Sequence, residues 1–189
     1  NQYIMNNNSA RNFALKIGKD LNCKWIFPLD GNIYITKKML HILEEDMSKE
    51  RIRILILPMK RITKTSEMND ELFGYDEEPQ VGFHNSIEYQ FNNDYFYGYR
   101  PKVEFLERIL VNGAWDFYQG DNIIFPKKLD NKPIEYIWSA GVIRLPNYST
   151  INYSSEISLK IRGPSREKSI YNFLYKTLID ESAKRALLS

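Results

Sequence analysis

Asp30 stands at the end of the run Trp25-Ile26-Phe27-Pro28-Leu29 and is followed by Gly31 and Asn32. A short apolar run of this kind reads as a buried strand, and Asp-Gly-Asn as the turn that ends it. In open α/β sheets ligands bind at the carboxyl ends of strands. An ionised carboxylate delivered there is a hard oxygen donor, suited to a divalent cation that carries phosphate. Gly31 lets backbone or ligand approach closely, and Asn32 adds a neutral oxygen or a hydrogen bond. Taken alone, the three residues also fit an ordinary turn.

Other residues offer chemistry more weakly. Asp116, in Gly113-Ala114-Trp115-Asp116, is a carboxylate beside an aromatic side chain that can stack a sugar ring. Glu77 and Glu78, beside a long polar stretch, are rival acids. His84, in Gly82-Phe83-His84-Asn85, is of a type that ligates Mn²⁺, although an ordinary hydrogen-bonded histidine is the simpler reading. His41 falls within a helix and has no metal-ligand spacing to His84. Arg162 and Arg166 flank a helix start, where anions are attracted, but a solvated basic turn is simpler. The single cysteine, Cys23, excludes an internal disulfide and a cysteine-based zinc cage. Its position before the apolar run reads as that of a small buried residue.

The elements that must position these residues follow from periodicity. Ser9 to Leu21 reads as a helix with Ala10, Phe13, Ala14, Ile17 and Leu21 as its apolar face. Asn8 or Ser9 is the expected cap. A strand runs from Trp25 to Leu29. A second helix is expected over Lys37 to Ser48, capped by Thr36, with Met39, Leu40, Leu43 and Met47 inward. Ile52 to Met59 reads as a strand buried on both faces. Thr63 to Pro79 is polar, acidic and aperiodic, hence a loop. Lys102 to Leu110 predicts a short helix and Ile134 to Leu145 one or two strands around Gly141. A last helix runs from Pro164 to about Leu187 with Ile170, Phe173, Leu174 and Leu178 on one face. The opening order α-β-α-β favours an α/β layer architecture.

The succession Ser9-Ala10-Arg11-Asn12, amphipathic helix, then an apolar strand ending in Leu29-Asp30-Gly31-Asn32 resembles family-2 glycosyltransferases of the GT-A fold. The matching motifs cover about Ser9 to Asn32, with a vaguer echo through the helix that follows. The resemblance implies a GT-A-like, Rossmann-like mixed sheet flanked by helices. It implies an inverting sugar transfer from a nucleotide-sugar donor to a glycan, protein or small-molecule acceptor. Asp30 would bind the metal (Mn²⁺ or Mg²⁺) and the diphosphate, and Arg11, Asn12 and Asn32 would line the donor pocket. Asp116 would be the preferred general base, taking the proton of the acceptor hydroxyl as that oxygen attacks, with Glu77 and Glu78 as its rivals. By residue type alone, His84 is the candidate for a late metal ligand. Asn32 stands where the family's motif ends in a second Asp. The two strand–helix units that bind base and ribose in that fold precede the matched region. The 189 residues are therefore expected to form a single domain, the C-terminal portion of a larger GT-A domain.

Composition sets the outer bounds. An apolar fraction of 43% and a charged fraction of 26% are ordinary for a globular protein. A net charge of +2, from 26 basic and 24 acidic residues, gives no electrostatic case for nucleic acid. No phosphate-cradling glycine loop and no Gly-x-Ser-x-Gly elbow is present. No stretch has the length and apolarity of a membrane span, and no signal peptide is visible, so a cytoplasmic location is expected. The rival to the transferase is a non-catalytic glycan- or protein-binding module using the aromatic segment Tyr89 to Tyr99. A metal-dependent hydrolase is weaker, since no paired-carboxylate motif stands close in sequence.

Overall fold

A computed structural model of the chain describes residues 7–62, 77–94, 101–111, 113 and 134–145, together with residues 167, 168, 171, 172, 175 and 179. It is a mixed α/β structure: α1 (Asn7–Asp20), β1 (Trp25–Ile26), β2 (Ile33–Tyr34), α2 (Lys37–Met47), β3 (Ile54–Arg61), β4 (Glu77–His84), α3 (Pro101–Arg108), β5 (Tyr136–Trp138) and β6 (Val142–Arg144). The chain divides into two compact units. One comprises Asn1–Asp30, Ile35–Lys60 and Asp70–Val142, the other Gly31–Tyr34, Arg61–Asn69 and Ile143–Ser189.

In the first unit β3 is the centre. Its continuous run of aliphatic residues suits a strand covered on both faces, and Ile54, Leu55, Ile56 and Leu57 are fully buried. It pairs antiparallel with β4, which pairs antiparallel with β1, and parallel with β5 through Ile54↔Tyr136 to Ile56↔Trp138. The sheet of this unit is therefore mixed. Between Leu57↔Gln80 and Met59↔Glu77, two steps along β3 match three along β4. Pro79, which lacks a ladder donor, falls within that bulge. The core joins Leu15 of α1, Ile26, Ile54, Ile56, Val81 and Phe83 of the sheet, and Val103, Phe105 and Leu106 of α3, with Phe91 between. The rings of Phe83, Phe91 and Phe105 lie within 5.1–5.5 Å of one another, centroid to centroid.

Helix ends follow local chemistry. The Thr36 hydroxyl accepts from the Met39 amide and starts α2. Beyond α1, Asn22 takes the left-handed conformation (φ 55°), with Cys23 N donating to Gly18 O and Asn22 N to Lys19 O. Leu110 does the same beyond α3 (φ 60°), with Val111 N donating to Leu106 O. Both are Schellman closures made without glycine.

Several expectations change. Asn8 lies within α1 and is fully buried, so it is not the cap. The buried face of α1 is Asn8, Arg11, Leu15 and Gly18, whereas Phe13, Ile17 and Leu21 are exposed. Leu40 is exposed too, and Asp46 joins Met39 and Leu43 on the buried face of α2, where its carboxylate takes Lys49 at 2.6 Å. Cys23 is exposed, because the turn that closes α1 carries it out to solvent before β1 begins. The strand expected over Trp25 to Leu29 is only two residues long, since Pro28 has no amide for a ladder and Leu29 N turns back to Phe27 O. The segment Glu77 to Pro79 is strand, not loop.

In the second unit β2 pairs antiparallel with residues of β6 (Ile33↔Arg144, Tyr34↔Ile143), a strand absent from the sequence reading. Tyr171 and Tyr175, one helical turn apart, stack at 6.1 Å and are exposed. The final helix's expected apolar face, Ile170, Phe173, Leu174 and Leu178, lies outside the described residues, as does residues 63–76 of the expected loop. Among the described residues no helix is long and apolar enough to cross a membrane.

Candidate functional site

Burying a guanidinium in a helix face is costly unless its donors find partners, and both terminal nitrogens of Arg11 find one. Its Nη1 donates to Asn8 Oδ1 at 3.0 Å, its Nη2 to Asp30 Oδ1 at 3.3 Å, and the group lies 5.5 Å from the centroid of the Phe91 ring. Asp30 follows β1 through Phe27-Pro28-Leu29, and that short link brings its carboxylate over the α1 face. The fully buried Gln80 of β4 grips Asp30 twice: Nε2 donates to Asp30 Oδ2 at 3.1 Å, and Oε1 accepts from the Asp30 amide at 3.4 Å. From the first turn of α3, Lys102 places its Nζ 3.4 Å from Asp30 Oδ2 and 4.0 Å from Glu78 Oε1. Three elements, α1, β4 and α3, thus converge on one carboxylate.

The exposures have a direction. The side chains of Asp30 and Glu78 are 30% and 29% exposed, those of Arg11 and Lys102 only 9% and 4%. The carboxylates reach solvent and the cations lie beneath, where the low dielectric strengthens their pull. Glu78 Oε1 itself is buried and makes no hydrogen bond. The bulge in β4 is what aims Glu78 here, as bulges do beside ligand sites.

Of the sequence-predicted residues, the structure brings Arg11 and Asp30 together. Asn12 turns elsewhere: its amide donates to Phe91 O at 2.8 Å and its Oδ1 accepts from Phe91 N at 2.9 Å, fastening α1 to the segment after β4. Asn32 belongs to the second unit, where its amide donates to Leu145 O at 3.3 Å and its carbonyl accepts from Leu145 N. His84 ends β4, four residues beyond Gln80, which is about 13 Å at strand rise. It pairs through Nδ1 with the Ser86 hydroxyl at 2.8 Å and packs edge-on to Trp25. Burial, then Arg53 and Lys24, lower its pKa from 6.5. His41 is exposed on α2, 3.5 Å from Glu44. Asp116, Arg162 and Arg166 lie outside the described residues.

Gln80 and Lys102 were missed by sequence reasoning. Lys102 did carry a signal: it precedes Phe105 and Leu106 by three and four residues and so shares the inward face of its helix. A lysine on an apolar face needs a buried partner.

Asp30 alone of the expected metal ligands is at this centre, and both its oxygens already accept from Arg11, Gln80 and Lys102. A divalent ion would have to displace these donors or sit against an ammonium and a guanidinium of like charge. The residues present do not fit a resident divalent cation. Among the described residues no three His, Cys, Asp or Glu side chains group as a metal cradle. No family model matches the chain, and no curated protein or solved structure matches it.

Proposed function

We propose that this chain carries the donor site of an inverting, GT-A-type sugar transferase that uses a nucleotide-activated sugar. The observation that supports this reading most is the 3.3 Å ion pair between Arg11 and Asp30, 19 positions apart. The two motifs that carry the resemblance meet in space, and the carboxylate they share is partly open to solvent. A carboxylate fixed by hydrogen bonds to buried cations can accept hydrogen bonds from sugar hydroxyls, and its fixed orientation positions the ring for attack. In the transfer, the acceptor hydroxyl oxygen bonds to the anomeric carbon as the bond from that carbon to the diphosphate breaks. Asp116 takes the hydroxyl proton, and the diphosphate leaves with the electron pair.

The test is sugar transfer by the full-length protein from a panel of nucleotide sugars, beside thermal unfolding with the same panel. A donor that binds the folded state raises the melting temperature by mass action. One donor should support transfer and raise the melting temperature in the parent protein, and Asp30→Ala should lose both effects. Transfer undiminished in Asp30→Ala ends the assignment of the donor site to this centre. The rival binding module drew on the aromatics of Tyr89 to Tyr99: Tyr89 packs against the core and Phe91 is 3% exposed, while Tyr95, Phe96, Tyr97 and Tyr99 lie outside the described residues.

A further inference from the structure

The centre has a cation of its own. Lys102 Nζ lies between two carboxylates from different elements, 3.4 Å from Asp30 and 4.0 Å from Glu78, with its side chain 96% buried by the complement of its 4% exposure. That is the position a cation bridging the two acids would take. Arg11 lies on the other oxygen of Asp30. An ammonium has three donors, yet the contact to Glu78 is too long for a hydrogen bond and the one to Asp30 is at the long end. Lys102 is thus deeply buried and lightly bonded, and Glu78 Oε1 beside it is buried without a hydrogen bond. Lys102, under-satisfied and next to a partly open carboxylate, keeps donors for further oxygen ligands, while Glu78 Oε1 can take only a donor or a cation.

We infer that Lys102, seconded by Arg11, does at this centre what a divalent ion does in the family the sequence resembles: it counters the charge of the donor's diphosphate, and the centre binds no metal of its own. The second acid of the site is Glu78, from β4, and not Asn32, whose amide is engaged by Leu145. The role in donor binding rests on the transferase reading. The assignment of the cation does not, and the two are tested apart.

The experiment is titration of Mn²⁺ alone into the full-length protein, with free Mn²⁺ read by electron paramagnetic resonance. The parent protein should show no site that depends on Asp30. Lys102→Met should gain one, because the two acids then lose the ammonium between them and only Arg11, on the far oxygen of Asp30, remains. The gain should be about tenfold or more in affinity, since a unit charge roughly 4 Å away is worth more than a decade even at a surface-like dielectric. Adding Glu78→Gln should abolish that gain. Stoichiometric Mn²⁺ binding by the parent protein that Asp30→Asn removes would overturn the inference, as would a folded Lys102→Met with no Mn²⁺ site. The parent and Asp30→Asn titrations decide the matter even where Lys102→Met does not fold. A donor panel that gives no transfer and no melting shift sinks the transferase reading and leaves the Mn²⁺ result standing.

Discussion

His84 and Asp30 show how differently two residues of similar promise can be used. Both were chosen from sequence as metal ligands, yet β4 carries His84 away to Ser86 and Trp25, while Asp30 is drawn to Arg11, Gln80 and Lys102. Because burial and the nearby Arg53 and Lys24 lower the His84 pKa, the folded protein binds fewer protons than the unfolded chain just below pH 6.5. Stability from this group is therefore present above pH 6.5 and is lost as pH falls toward the folded pKa. His84→Gln should reduce the fall in urea midpoint between neutral pH and about pH 5.5, a window set by the unfolded histidine value. An unchanged fall would place the acid sensitivity elsewhere. At this scale the sequence made Asp30 and Arg11 legible because motif order brought them to attention. Gln80 stayed hidden because an isolated amide has no pattern. Glu78 was weighed only as a rival base on a loop, since nothing in Glu77-Glu78-Pro79 announces a bulged strand.

Periodicity served the elements better than it served their orientation. The spans of α2, β3 and the pair β5 and β6 were readable from apolar spacing and the Thr36 cap. β2, two residues long, carries no periodic signal at all. For α1 the period was right and the buried side was wrong, because the helix docks on β1 through a glycine. A Cβ built on Gly18 would lie 2.6–2.8 Å from Cγ1, Cδ1 and Cγ2 of Ile26. In an open helix, Gly→Ala gains about 1 kcal/mol. Here the branched Ile26, itself buried, has little room to give, and Gly18→Ala should instead lose about 1–3 kcal/mol from overpacking. Chemical denaturation of Gly18→Ala and of Gly18→Ala with Ile26→Ala checks this. The second substitution should cost less in the Gly18→Ala background than alone, a coupling between touching residues. A stabilised Gly18→Ala would mean that α1 and β1 stand further apart than the contact requires.

For the molecule as a whole, the consequence of that glycine contact is an apolar stripe left on the surface of the first unit. Phe13, Ile17 and Leu21 are 65%, 41% and 70% exposed, while Leu15 on the same helix is 4% exposed. Burial, not hydrophobicity, sets what a side chain contributes, because only area removed from water stabilises the fold. Two substitutions on one helix should therefore behave oppositely. Leu15→Ala removes a core side chain and should cost about 2–5 kcal/mol. Phe13→Gln, Ile17→Gln and Leu21→Gln should each lie within about 0.5–1 kcal/mol of the parent, as exposed positions do. The combined triple variant should also self-associate less in light scattering at high concentration, since contiguous exposed apolar area drives association. Urea denaturation supplies the first comparison, and it discriminates sharply. A loss of several kcal/mol in the glutamine triple variant, equal to that of Leu15→Ala, would show that the stripe is internal and that α1 presents the face its apolar spacing first indicated. Arg11 would then turn outward with the opposite face, its pairing with Asp30 would be lost, and the candidate site would fall with it.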